Sequence, residues 1–224
     1  MPDVVYSVRD VVHRYRTPSG DVTAVQEATF DIPADGLTVL AGPSGSGKST
    51  LLRLLGVIER PTSGELTLHG NDTVRLTERA RRALRREVHL VFQSPVDNLF
   101  GYLNVRDNLR AAAQLSGAGE PDIGMLDRLG LPGTADWAIS ALSGGQQQRL
   151  AFLTALAAKA SVVLADEPTS QLDSTSARLV IDTMLDLVKL GVTVVAASHD
   201  DAVLEVAARV YGLGRVGRGG HDRL

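Results

Sequence analysis

The chain has no cysteine among its 224 residues. No disulfide framework and no thiolate metal site can form, which suits a reducing compartment. Aromatic residues make up only 4%, so a core must be built from Leu, Val, Ile and Ala. No apolar run reaches the roughly 18 residues that a membrane-spanning helix needs. The segment MPDVVYSVRDVVHRY carries charges throughout, so no secretion signal is expected. The formal net charge of −3 gives no global electrostatic case for nucleic-acid binding. No fixed-period repeat and no Pro- or Ser-rich linker divides the chain. What remains is one domain, 44% hydrophobic, long enough to bury a sizeable core. Any role at a membrane must come through a partner.

Two kinds of strand pattern are present. Residues 4–40 read as short strands broken by turns: VVYSV, the turn TPSGD, VTAVQEATFDI, then PADG. Gly64–Gly70 is another short alternating strand, and such pieces suit an antiparallel sheet. Leu37–Ala41, Val88–Phe92, Val162–Ala165 and Val192–Ala197 are instead nearly continuous apolar runs. That pattern fits parallel strands buried on both faces. Helical stretches lie between them at Thr50–Ile58, Gln146–Lys159 and Ser174–Leu190. The alternation implies an α/β core with a parallel sheet. An antiparallel β subdomain lies mainly within 1–40 and 64–70. A mostly helical subdomain is inserted at about 95–158.

Three motifs carry chemistry. Gly42-Pro-Ser-Gly-Ser-Gly-Lys48-Ser49-Thr50 fits G-x-x-x-x-G-K-[ST], follows an apolar strand and opens a helix. Its glycines allow positive φ and let backbone N–H groups approach a phosphate. The helix start adds its dipole. Lys48 supplies charge to the β/γ-phosphates, and the Ser49 hydroxyl can ligate Mg²⁺. A chance match in a chain this long is on the order of one in a hundred. Val162-Val-Leu-Ala-Asp166-Glu167 is a strand ending in an acid pair. Asp166 can reach a metal, and Glu167 can polarise an attacking water. Leu142-Ser-Gly-Gly-Gln-Gln-Gln-Arg149 offers a second anion-binding helix start at Ser143, Gly144 and Gly145. Alone, the last two also read as an ordinary strand end and a flexible linker.

Position weighs more than any single motif. Ligands of parallel α/β sheets gather outside the carboxyl ends of the strands. Lys48, Gln93, the Asp166/Glu167 pair and His199 each follow an apolar strand run. Phosphate, metal, carboxylate and imidazole chemistry therefore converge on one edge.

Over nearly all its length the chain resembles the nucleotide-binding subunit of ABC transporters. GPSGSGKST is similar to the Walker A loop, VVLADE to the Walker B strand, and LSGGQ to the signature. Gln93 matches the Q-loop, His199 the switch histidine, and Ser170-Gln-Leu-Asp173 the D-loop. Tyr15 matches the aromatic that stacks on adenine. The resemblance implies a P-loop NTPase fold with a RecA-like parallel sheet. It implies Mg²⁺-dependent ATP hydrolysis, with Glu167, His199 and Gln93 catalytic and Ser49, Gln93 and Asp166 at the metal. Gly42, Ser44, Gly45, Ser46, Gly47, Lys48, Ser49 and Thr50 would hold the nucleotide. Ser143, Gly144, Gly145 and Gln146 would serve the ATP of a second subunit. The implied partners are an identical or related ATPase chain and integral membrane transporter subunits. The expected place is the cytoplasmic face of the cell membrane.

RPTSGELTLHG and LTERARRALRREVHLVFQ resemble the subfamily serving lipoprotein release, macrolide efflux and cell division, which favours export. Force transmission without solute movement is the alternative. The chain departs from that pattern at Gln171 in the D-loop and at Phe152-Leu153-Thr154 after the signature, where a basic residue is lost. The 94 residues from Lys48 to Leu142 leave no room for the long coiled coils of DNA-repair relatives. The single P-loop does not match the paired domains of translation factors, and LSGGQ has no role in a P-loop kinase. Glu78–Glu87, with five arginines, reads as a solvated helix. Trp137 reads as a packing residue, and the tail Gly212–Leu224, with His221, as loosely ordered.

Overall fold

A computed structural model describes residues 3–18, 20–34 and 36–214. The chain opens with a long antiparallel hairpin of β1 (Val4–Thr17) and β2 (Gly20–Pro33). β1 is one strand where the sequence suggested pieces. It passes through a bulge at Asp10, which takes φ 49° while the register shifts between Val8 and Val11. The strand runs past Val8, where the expected VVYSV segment ends, through this bulge. β3 (Leu37–Ala41) then leads through the glycine-rich loop into α1 (Lys48–Leu55). β4 (Ser63–Leu68), a short β5 (Asn71–Asp72), α2 (Glu78–Arg85) and β6 (Val88–Val91) follow. A mostly helical stretch holds α3 (Val105–Ser116), α4 (Met125–Arg128) and, at its end, α5 (Gly144–Ala157). β7 (Val162–Asp166), α6 (Ser174–Lys189), β8 (Thr193–Ala197), α7 (Asp201–Glu205) and β9 (Arg209–Gly212) complete the described chain.

The strands form two sheets. One is antiparallel, ordered β2-β1-β4-β5, and the other parallel, ordered β6-β7-β8-β3-β9. Three of the apolar runs, in β3, β7 and β8, build the interior of the parallel sheet, whereas Val88–Val91 forms the edge strand β6 and is mostly half-buried rather than covered on both faces. β9 went unread in the sequence: its residues alternate half-buried and exposed at the sheet edge. The antiparallel sheet takes residues 4–33 and 63–72, and Leu37–Ala41 belongs to the parallel one.

α1 lies between the two sheets. Leu51, Leu52, Leu54 and Leu55 share one core with Tyr6, Val8, Ile32 and Leu66 on one side and Leu40, Leu164 and Val195 on the other. The Tyr6 hydroxyl, fully buried, donates to Leu55 O at 3.1 Å. On the far face, Val39, Val163 and Val194 pack against Ala151, Phe152 and Ala155 of α5 and Val180, Ile181 and Met184 of α6. A third core joins Val105, Leu109, Leu126 and Leu131 to Leu150 and Leu153, again from α5. α5 thus belongs to both the sheet and the helical stretch.

Two expectations change. Trp137 is 46% exposed and does not anchor a core. The α2 arginines are not all solvated: Arg81 is buried and donates to Val57 O at 2.7 Å and Glu59 O at 3.1 Å, and Arg85 donates to Val57 O at 2.9 Å. Val57 has φ 57°, and its carbonyl needs these donors because it lies in a turn rather than a ladder. Gly212 closes β9, and residues 215–224, with His221, lie outside the described residues.

Candidate active site

The ends of β3, β6, β7 and β8 deliver polar residues to one edge of the sheet. Lys48, the first residue of α1, is 6% exposed. Its Nζ donates to Gly42 O at 2.8 Å and Pro43 O at 3.3 Å, and stands 3.2 Å from Glu167 Oε1. His199 Nδ1 lies 3.0 Å from the same oxygen. A cation, a carboxylate and an imidazole are therefore linked across three strand ends. Glu167 holds φ 45°, a costly conformation for a residue with a side chain. Its amide donates to Ala197 O at 2.8 Å and its carbonyl accepts from Ser170 Oγ at 3.0 Å, which fixes that conformation.

The loop itself is spatially constrained. Gly47 has φ 91°, and a Cβ there would lie 2.0 Å from Ala24 O of β2. Gly47→Ala is expected to destabilise the fold by about 2 kcal/mol or more, from left-handed strain plus the clash. A thermal melt should show Tm about 5 °C lower or more.

Asp166 ends β7, and its Oδ1 is buried without a hydrogen-bond partner among the described residues. An orphaned buried carboxylate oxygen beside a phosphate loop fits a cation. Among the described residues, no cluster of three or more His, Asp or Glu side chains could hold a metal alone. A hard cation such as Mg²⁺ fits this sparse set, since it takes few protein ligands and keeps phosphate oxygens and water. Gln93 Nε2 donates to Ser170 Oγ at 3.0 Å.

α5 starts with Ser143 as N-cap. Its Oγ accepts from Gln146 N at 3.3 Å, while its own amide donates to Gln146 Oε1 at 2.8 Å. The amides of Gly144 and Gly145 at this helix start have no acceptor in the helix. Gly145 has a second duty, since a Cβ on it would stand 2.7 Å from Ser176 Cβ of α6. Asp173 caps α6 by accepting from Thr175 N and Ser176 N, both at 3.0 Å. The bonds from Ser176 hold its carboxyl below the usual range.

Tyr15 is half-buried near the end of β1, with its hydroxyl 2.8 Å from Glu59 Oε2 and 3.4 Å from Thr50 Oγ1. Three links were not foreseen from sequence. Ser170 joins Gln93 to Glu167. Gln148 Nε2 of α5 donates to Phe92 O at 3.2 Å, next to Gln93. Thr169 Oγ1 donates to Asp200 Oδ2 at 2.7 Å, tying the loop after β7 to the cap of α7. Thr154, which replaces the expected basic residue, is buried. It donates to Ala151 O at 2.6 Å and lies 3.1 Å from His89 Nε2. Burial pushes the His89 pKa down to about 4. Gln171 is exposed.

Residues 25–170 match the family model described as ABC transporter. The chain belongs to the ABC transporter family, as an ATP-binding domain. It is 37% identical over 205 residues to the macrolide export ATP-binding/permease protein MacB of Burkholderia pseudomallei, covering 89% of this chain and 31% of that protein. It is 36% identical over 210 residues to the methionine import ATP-binding protein MetN 1 of Burkholderia ambifaria, covering 91% and 60%. The chain thus spans under two thirds of either relative. A solved ATP-binding cassette, in a dimeric post-hydrolysis state bound to ADP and phosphate, superimposes with a TM-score of 0.80 at 27% identity. That match covers 97% of this chain and 98% of the other. Among the described residues of this ABC domain, no helix is long and apolar enough to cross a membrane.

Proposed function

We propose that this ABC domain is an ATP-hydrolysing motor subunit that works as a pair and drives integral membrane subunits. The observation that carries the reading is the Lys48–Glu167–His199 contact chain, with spacings of 3.2 and 3.0 Å, beside the unpartnered Asp166 oxygen. Lys48 and the amides of Gly42–Thr50, with Ser44 and Ser46, hold the β/γ-phosphates. Ser49, Asp166 and Gln93 would hold Mg²⁺, which would offset phosphate charge when bound. Glu167 accepts a proton from water as the water oxygen bonds to the γ-phosphorus. The bond to the β–γ bridging oxygen breaks, leaving ADP and phosphate. His199 steadies Glu167 and contacts the γ-phosphate, and Tyr15 stacks on adenine.

Pairing follows from the second helix start. The bonds of Ser143 stay within its own turn, so Ser143, Gly144, Gly145 and Gln146 serve the γ-phosphate of the partner's ATP. Asp173 borders that junction. ATP closes the pair by binding the closed state better than the open one, and hydrolysis releases it. The membrane subunits dock beside Gln93. Exposed Phe92, Val96, Phe100 and Tyr102 lie there, near a cavity of about 330 Å³ lined by Arg86, His89 and Leu115 among others. The complex sits on the cytoplasmic face of the cell membrane. The subfamily pattern of RPTSGELTLHG supports export, and a transport assay in vesicles that showed inward movement would reverse that direction.

Pairing is tested by phosphate release from Mg-ATP at falling protein concentration. The specific rate is expected to drop as the dimer dissociates. A constant specific rate from a species that light scattering shows to be monomeric would overturn pairing.

A further inference from the structure

We propose that Glu59 is a positioning residue that fixes the Tyr15 base platform relative to the phosphate loop. The proposal rests on the reading that Tyr15 stacks on adenine. Glu59 follows α1 in the turn before β4, and its side chain is 27% exposed. Its Oε2 accepts from the Tyr15 hydroxyl at 2.8 Å and lies 3.1 Å from His13 Nε2. Its Oε1 is 3.8 Å from Arg53 Nη1 of α1. One carboxylate therefore joins β1, which carries the platform, to the helix that carries Lys48, Ser49 and Thr50.

The surrounding contacts stiffen the link. Arg81, itself buried, donates to Glu59 O at 3.1 Å, which pins the backbone of the hub. The His13 ring packs edge-on against Tyr15 at 4.7 Å and 81°. His13 is 8% exposed, and its Nδ1 is buried without a partner. Among the described residues, the polar anchoring of the His13 side chain therefore falls on Glu59 alone. A nucleotide spans from the base at Tyr15 to the phosphates at Lys48. A hub that fixes the spacing of these two contacts lowers the ordering cost of binding both ends together.

The claim separates base-dependent from phosphate-dependent binding. Full-length variants would be titrated with ATP and, separately, with inorganic tripolyphosphate, which has no base. Glu59→Ala is expected to weaken ATP about tenfold and leave tripolyphosphate unchanged. Glu59→Gln keeps an acceptor oxygen and should stay within about twofold of wild type for both. Tyr15→Phe, which removes the hydroxyl with its contacts to Glu59, Thr50 and Arg53, should weaken ATP at least as much as Glu59→Ala and leave tripolyphosphate unchanged, and the double variant should be no weaker than Tyr15→Phe alone. Equal weakening of ATP and tripolyphosphate in Glu59→Ala would overturn the positioning role, as would no weakening at all. Should Glu59→Ala fail to fold, Tyr15→Phe beside Glu59→Gln carries the same test. The underlying reading fails separately: Tyr15→Ala with unaltered ATP affinity would remove Tyr15 as the platform.

Discussion

Glu167→Gln is expected to bind ATP and accumulate as a closed dimer while hydrolysing it about a thousandfold more slowly. Glutamine is nearly isosteric, so the oxygen 3.2 Å from Lys48 and 3.0 Å from His199 is retained. What is lost is the basicity that takes a proton from water. The variant also loses one negative charge close to where the γ-phosphate docks, so ATP binding should not weaken. Size-exclusion chromatography with Mg-ATP should show a dimer that wild type forms only transiently. Phosphate release should be barely above background. Turnover within a few-fold of wild type would remove Glu167 from the base role.

The second large effect concerns two chains at once. Lys48→Ala and Ser143→Asp should each be inactive alone, with turnover down about a hundredfold or more. Aspartate is a good N-cap, so Ser143→Asp keeps the start of α5 intact. On the proposed pairing it places a carboxylate against the partner's γ-phosphate, where charge repulsion is costly. Lys48→Ala removes the ammonium from its own loop. A mixed pair holds one site with both defects and one with neither. Mixing the two inactive variants should therefore restore up to about a quarter of wild-type turnover, because half the pairs are mixed and each has one sound site. No recovery from a mixture shown to exchange subunits would mean that Ser143 acts within its own chain.

The interior of the parallel sheet was legible because its strands are nearly continuous apolar runs, which burial on both faces favours, with only Thr38 and Thr193 interrupting them in β3 and β8. The phosphate loop was legible because a strand, glycines and a lysine occur in one order. β9 was not, since a four-residue edge strand with alternating exposure carries little pattern. Only VVYSV of β1 was read as strand, because charged residues at Arg9, Asp10, Arg14 and Arg16 dilute the pattern beyond it, although the backbone continues through the bulge to Thr17. Sequence spacing cannot show which arginine of α2 finds an orphaned carbonyl, so the inward turn of Arg81 was hidden. Trp137 misled for the opposite reason, since its size suggested a core position that the turn around it does not offer. Ser170 and Glu59 were hidden too. Their partners lie 77 residues away at Gln93 and 44 away at Tyr15, and only the fold brings them together.

α5 contributes Ala151, Phe152 and Ala155 to one core and Leu150 and Leu153 to another. A side-chain change along this helix is therefore judged by two sets of neighbours at once. The helix that begins with the signature is consequently the least free part of the chain to drift. Between α3 and α5 the latitude lies at exposed positions such as Pro132 and Ser140, where a substitution answers to solvent, while Leu131 and Ile139 beside them are tied into the core that α5 completes.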